Sequence, residues 1–252
     1  MKLIISLIII SLSFSQDKGR EIAEKANATQ RNFGDEIVTN TMYLINASGD
    51  TVIRHLKNYT LERKDQLDYS IVQFLNPPDV RGTGLLTHQN PAGDDKQWLY
   101  LPELRRVKKI SSKNKSGAFM ASEFAYEDIT GNTLDKFNYK FLSEEDLNGL
   151  VCYTVERTPT YKNSGYIKIK SWYSKDTYLP MRNEYTDRKN SLLKVQTFYG
   201  WKKYGNTYRS DRIEMENLQT GKKSIIKFSD RTLGSNLKEK AFTKRSLQRL
   251  KK

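Results

Sequence analysis

From residue 35 onward, apolar and polar residues alternate with a period of two over most of the chain, the pattern of half-buried strands. The runs fall at 37–45, 51–61, 67–75, 83–88, 96–101, 104–110, 136–143, 150–158, 165–174, 179–187, 191–203, 206–218 and 222–229. Turn chemistry separates several of them: Ala47-Ser48-Gly49-Asp50, Asn148-Gly149 and Gln219-Thr220-Gly221-Lys222 each read as a tight hairpin. Alternation is cleanest where Ile167 and Ile169 oppose Lys168 and Lys170, and where Val151, Tyr153 and Val155 oppose Cys152, Thr154 and Glu156. Two stretches have a helical period instead. Residues 17–32 carry Asp17 as a cap and a thin stripe of Ile22, Ala23, Ala26 and Thr29. Residues 118–129 place Phe119, Glu123 and Tyr126, or Met120, Phe124 and Ile129, at helical spacing, with large apolar groups on more than one side. The pattern predicts a mainly β, α+β fold in which antiparallel strands build a sandwich, a barrel or a curved open sheet.

The first fifteen residues, MKLIISLIIISLSFS, join one lysine to an apolar run that ends on Ser13 and Ser15. A short apolar core with a small-x-small ending predicts a cleaved secretory signal over 1–15. The run falls short of the ~20 apolar residues of a membrane span. Cys152 is the only cysteine, so no lipid-anchoring cysteine follows the leader. With no repeat and no low-complexity linker, 16–252 reads as one domain, exported, periplasmic and monomeric. An outer-membrane barrel is disfavoured, because many strands carry Lys or Arg on one face and Asn, Thr or Glu on the other, which breaks the required lipid-facing band.

Charge narrows the partners. The chain has 252 residues with 43 Lys+Arg against 29 Asp+Glu, a formal net charge of +14. In an exported protein the available polyanion is a membrane surface rather than nucleic acid. The basic residues gather at 104–115, with Arg105, Arg106, Lys108 and Lys109, and again at 238–252.

Catalytic patterns are missing from the sequence. There is no GxSxG, HExxH, P-loop or GxGxxG. The Gly-x-Gly of RGTGLLTH (81–88) has no helix after it to hold a phosphate. Cys152 reads as a packed small hydrophobe, and His55 and His88 have no carboxylate at a meaningful spacing. Glu123, Glu127 and Asp128 form one acidic cluster, which a lipid hydrolase would need in a cleft; the plainer expectation is that they bond loop backbone and pair with arginines. No enzyme, cofactor or metal is expected. What remains is an apolar inventory of Leu85, Leu86, Trp98, Tyr100, Phe119, Met120, Phe124 and Tyr126, suited to lining or plugging a ligand cavity.

Residues 81–128 carry a resemblance. RGTGLL (81–86), DKQWLYLPELRRVKKI (95–110) and GAFMASEFAYED (117–128), with YLPMRNEYTDRKNSLLKV (178–195) further on, resemble the outer-membrane lipoprotein-sorting protein family, the LolA-like periplasmic carriers. Ser122-Glu123-Phe124 stands where that family often has Ser-Asp-Phe, which keeps the charge. The resemblance implies a strongly curved antiparallel sheet forming an open, unclosed β-barrel with a helical lid. It implies a carrier that shields the acyl chains of a lipoprotein, or a free lipid, on the way to the outer membrane. Its partners would be an inner-membrane transporter of ABC or RND type and an outer-membrane acceptor; an accessory or scaffold protein for an RND-type exporter is the alternative. On this reading 118–129 belongs to the lid, and Arg105, Arg106, Lys108 and Lys109 lie at the mouth.

Overall fold

A computed structural model describes residues 2–63, 67–90, 93–131 and 133–250, with side chains from Ser15 onward. Helix α1 (Lys2–Ala28) is followed by β1 (Asp35–Ile45), β2 (Thr51–Leu61), β3 (Tyr69–Asn76), β4 (Gly84–His88), β5 (Lys96–Leu101) and β6 (Arg106–Ile110). After a crossing segment come β7 (Phe137–Leu147), β8 (Leu150–Pro159), β9 (Tyr166–Ser174), β10 (Pro180–Asp187) and β11 (Leu192–Tyr199). The chain ends with β12 (Lys202–Tyr204), β13 (Thr207–Arg209), β14 (Arg212–Asn217), β15 (Lys223–Leu233) and helix α2 (Lys244–Gln248).

Thirteen strands form one antiparallel sheet in the order β6-β5-β4-β3-β2-β1-β15-β14-β11-β10-β9-β8-β7, and β12-β13 make a separate ribbon. Hairpin follows hairpin from β1 out to the edge at β6. The chain then crosses to the opposite edge, β7, and works back until β15 pairs with β1 in the middle. The segment between the two edges, 111–136, must therefore span the open side of the curved sheet. The sheet does not close into a barrel.

Strand registry sorts side chains to two faces. Met42, Leu56, Val72, Phe74, Leu85 and Leu99 point inward and join Tyr166, Ile169, Tyr185, Met215 and Ile226 in the main core. Ile71, Leu86, Trp98 and Tyr100 point outward, where Leu237, Phe242 and Leu247 of the C-terminal segment cover them. Ile22, Ala23 and Ala26 of α1 form a third cluster with Tyr139, Val155 and Tyr173. Gly19 lets α1 lie directly on β7, since a Cβ there would stand 2.6 Å from the Phe141 nitrogen.

Three local expectations change. Helix α1 passes without a break through Asp17, which is no cap, and ends at Ala28 rather than 32. The long runs 191–203 and 206–218 are each split, because Gly200, at φ +64°, turns the chain out of the sheet into the β12-β13 ribbon. That ribbon reaches back to the N-terminal segment through Tyr208 N–H to the Thr29 carbonyl. Strand β8 does not simply alternate: Val151 is exposed, while Cys152 and Thr154 on the other face are buried.

Candidate functional site

The crossing segment decides what the inner face can do. In place of the expected 118–129 helix it forms a closed loop between two short 3-10 turns, Phe119–Ala121 and Asp128–Thr130. Ala118 bridges Ala125, Phe119 N–H donates to the Phe124 carbonyl at 2.7 Å, and Tyr126 N–H donates to the Gly117 carbonyl at 3.1 Å. The Ser122 hydroxyl donates to the Phe119 carbonyl at 2.7 Å, the local competition that removes serine from helices. A helix would also hold Phe119 and Phe124 well apart around its axis. The loop delivers both rings into one core: Phe119 is fully buried, 5.7 Å from the Phe74 ring and 5.5 Å from Tyr126. Met120 and Ala121 pay for the tip with left-handed backbone, at φ +49° and +60°.

Polar contacts hold this plug to the sheet. Arg54 on β2 donates to the Met120 carbonyl. Glu123 N–H donates to Ser224 Oγ on β15 at 2.9 Å, and Asn217 Nδ2 on β14 donates to Glu123 Oε2 at 2.8 Å. Asp128 and Lys194 form a buried ion pair at 2.6 Å, in which Lys194 also donates to the Glu123 carbonyl. Tyr166 OH donates to Asp128 Oδ1 at 2.9 Å. Glu127 accepts from Tyr161 OH, Ser164 Oγ and Gly165 N–H, and burial lifts its carboxyl above the ordinary range despite those three donors. The acidic cluster thus anchors the loop, as expected of backbone bonding, except that its cationic partner is Lys194 and not an arginine. Burial pushes the Cys152 thiol up to about 11, consistent with a packed side chain.

Three cavities adjoin beneath the plug, of about 210, 310 and 190 Å³, with Ile213 common to all. The smallest is bounded by Met42, Leu56, Val72, Ile226 and the rings of Phe119 and Phe124. Those rings occupy the apolar half of the sheet and leave about 190 Å³ open beside them.

The structure divides the expected site residues. Leu85, Phe119, Met120, Phe124 and Tyr126 belong to the inner core or pack against it. Leu86, Trp98 and Tyr100 do not face the cavity: cross-strand pairing of Leu86 with Ile71 and Trp98 sends them outward, under α2. Arg105 occupies the β5–β6 turn at φ +48°, and Arg106, Lys108 and Lys109 are exposed on the edge strand β6. The second basic segment folds onto the same region, for α2 packs on β4, β5 and β6 and Lys244 Nζ lies 5.5 Å from the Trp98 ring. Sequence patterning missed Arg54, Lys194 and Ser224, the sheet's hold on the plug. A lone polar residue on a strand carries no signal of what it will meet across the barrel. Among the described residues no three His, Cys, Asp or Glu side chains converge as metal ligands.

The chain is thus a half-open antiparallel barrel whose apolar interior is stoppered by a loop of its own. Solved structures share this architecture. An outer membrane lipoprotein-sorting protein domain from Vibrio parahaemolyticus is 41% identical, with 92% of this chain and 99% of that one covered at a TM-score of 0.90. A DUF1329 family protein from Desulfovibrio piger is 28% identical over 92% and 99% of the two chains, TM-score 0.88. A LolA superfamily protein from Nitrosomonas europaea shares the fold at 21% identity, 90% and 98% coverage and a TM-score of 0.75. A family model described as an uncharacterized protein matches residues 66–249, and no curated protein matches. The chain belongs to the outer-membrane lipoprotein-sorting protein family, and its fold is that of the LolA superfamily structure.

Proposed function

We propose that this protein is a non-enzymatic periplasmic carrier that takes up the acyl chains of a lipoprotein or lipid inside its curved sheet and moves them toward the outer membrane. The observation that carries the reading is the plug. Phe119 and Phe124 fill the apolar interior from a loop with two strained residues at its tip, tied down by side chains of β2, β11, β14 and β15. A permanent core needs no such device, whereas a carrier does. At about 0.8 kcal/mol per buried CH₂, one acyl chain contributes on the order of 10 kcal/mol before ordering costs. Cargo held that firmly leaves only if something competes for its place, and a loop that refills the cavity supplies the competition.

The leader over 1–15 is removed on export in this reading. The basic edge formed by Arg105, Arg106, Lys108 and Lys109 together with Lys244 and Arg245 of α2 meets anionic lipid or an acidic face of an ABC- or RND-type transporter. The test is to purify the protein from the periplasm of its own cell and identify co-purifying material by mass spectrometry. Stoichiometric triacylated protein identifies lipoprotein sorting, and free lipid identifies a shuttle beside an exporter. Protein that comes out clean and also refuses added lipid refutes the carrier.

A further inference from the structure

The inner face is not apolar throughout. Under β8 to β11 it carries Arg157, Asn183, Gln196 and several tyrosines, and from there the 310 Å³ cavity runs to Arg31, Arg209 and Arg231 near the β12-β13 ribbon. Arg157 is 3% exposed, lies 5.3 Å from the Phe137 ring and lines both of the larger cavities. Glu36 is shared by Arg209 at 3.2 Å and by Arg231, while Arg31 takes Asp68 at 2.8 Å and Glu62 at 2.7 Å. Among the described residues, then, four guanidiniums line this chamber with two carboxylates, Glu36 and Asp68, while Glu62 meets Arg31 outside the lining. Asn183 and Arg231 belong to its lining, at 4% residue and 6% side-chain exposure, and Asn183 Oδ1 and Arg231 Nε are buried without a hydrogen-bond partner. An unpartnered acceptor and an unpartnered donor on residues that line one positively biased cavity point to a ligand that carries both negative charge and a hydroxyl.

We infer that this chamber binds the headgroup of an anionic glycerophospholipid, so that the cargo is a phospholipid and not a neutral acylated peptide. The phosphate accepts from Arg157 and Arg231, and a glycerol hydroxyl donates to Asn183 Oδ1. The tail passes Ile213, common wall of the polar and apolar cavities, into the volume that Phe119 and Phe124 otherwise fill. The inference rests on the carrier reading and specifies its cargo.

Calorimetry on the delipidated full chain tests it, using lysophosphatidylglycerol and a monoacylglycerol of equal chain length below their critical micelle concentrations, with glycerol phosphate as the tailless probe. Lysophosphatidylglycerol is expected to bind about tenfold or more tighter than the neutral lipid, as charge-assisted hydrogen bonds require. Arg157→Met removes that preference and leaves monoacylglycerol binding within about twofold. Asn183→Asp, which adds a charge at nearly constant shape, removes it independently should Arg157→Met fold poorly. Equal binding of the two lipids, or a preference that survives Asn183→Asp, overturns the headgroup site while the carrier stands. Glycerol phosphate binding as tightly as the lysolipid makes the chamber a free-phosphate site and also overturns it. Refusal of both lipids overturns the carrier reading itself.

Discussion

Replacing Phe119 by alanine separates a core from a plug, because the two make opposite forecasts for ligand. Phe119 is fully buried between Phe74 and Tyr126, and truncating such a phenylalanine costs about 3–5 kcal/mol. If Phe119 is ordinary core, that loss falls on global unfolding, and lipid binding stays the same or weakens with the damaged fold. If the loop 117–126 docks and undocks as a unit, the loss falls on docking. The thirteen-stranded sheet keeps its own ladders, so the unfolding free energy falls only until the loop is fully undocked, by RT ln of the rise in the undocked population. A docking equilibrium shifted by about 3 kcal/mol raises the undocked population by roughly two orders of magnitude, and lipid affinity rises by up to the same factor. Displacement of a fluorescent fatty acid, read beside urea unfolding of the same samples, measures both quantities. Unchanged or weaker binding together with a 3–5 kcal/mol loss in unfolding free energy would refute the plug.

Other perturbations probe the remaining parts. Lys194→Met strands the Asp128 carboxylate in a site where the pair is 4% and 3% exposed, and should cost about 3–5 kcal/mol in urea unfolding; Lys194→Met with Asp128→Asn should recover most of it. If the double variant is no better than the single, the buried charge is not the cause. Reversing Arg105 and Arg106 to glutamate, on an exposed turn, should weaken binding to anionic vesicles and flatten its dependence on salt, measured by co-sedimentation across ionic strength. An unchanged salt slope assigns membrane contact elsewhere. Glu127 has a folded-state pKa raised by burial, so its protonation favours the folded form. Stability of the wild type relative to Glu127→Gln should therefore rise as pH falls from neutral toward the ordinary carboxyl value near 4.5, and melting curves over that window give the sign. A difference that is flat, or that grows toward alkaline pH, excludes burial as the dominant influence on this group.

Much of the architecture is legible without the structure, since a strand announces itself through the period of its own residues and a hairpin through its own turn. The runs at 51–61 and 96–101 coincide with β2 and β5, several others shift by a residue or two at their ends, and β7 and β15 each run four residues beyond 136–143 and 222–229. The stripe Ile22, Ala23 and Ala26 is the buried side of α1. Local pattern could place Leu85 and Leu86 on opposite faces but could not say which face was inside, because curvature and the covering C-terminal segment make that choice. Hence Leu86, Trp98 and Tyr100 left the expected site, and Met42, Leu56, Val72 and Ile226 entered it. For 118–129 the local signal misled: alanine, methionine and glutamate favour helix, yet the sheet offers hydrogen bonds from Arg54, Asn217 and Lys194 and a pocket for two rings that a helix could not fill together.

The sequence by itself determined a mainly β chain, most of its strands and turns, the basic segments and, through 81–128 and 178–195, the family. Only the tertiary structure decided that 111–136 spans the open side between edge strands β6 and β7, that two basic segments distant in sequence share one edge, and that arginines share the interior with an apolar cavity. The physical reason is one of range. Periodicity and turn chemistry are set by neighbours along the chain, whereas a cavity exists only after thirteen strands have curved together and each side chain has met partners that sequence distance does not record.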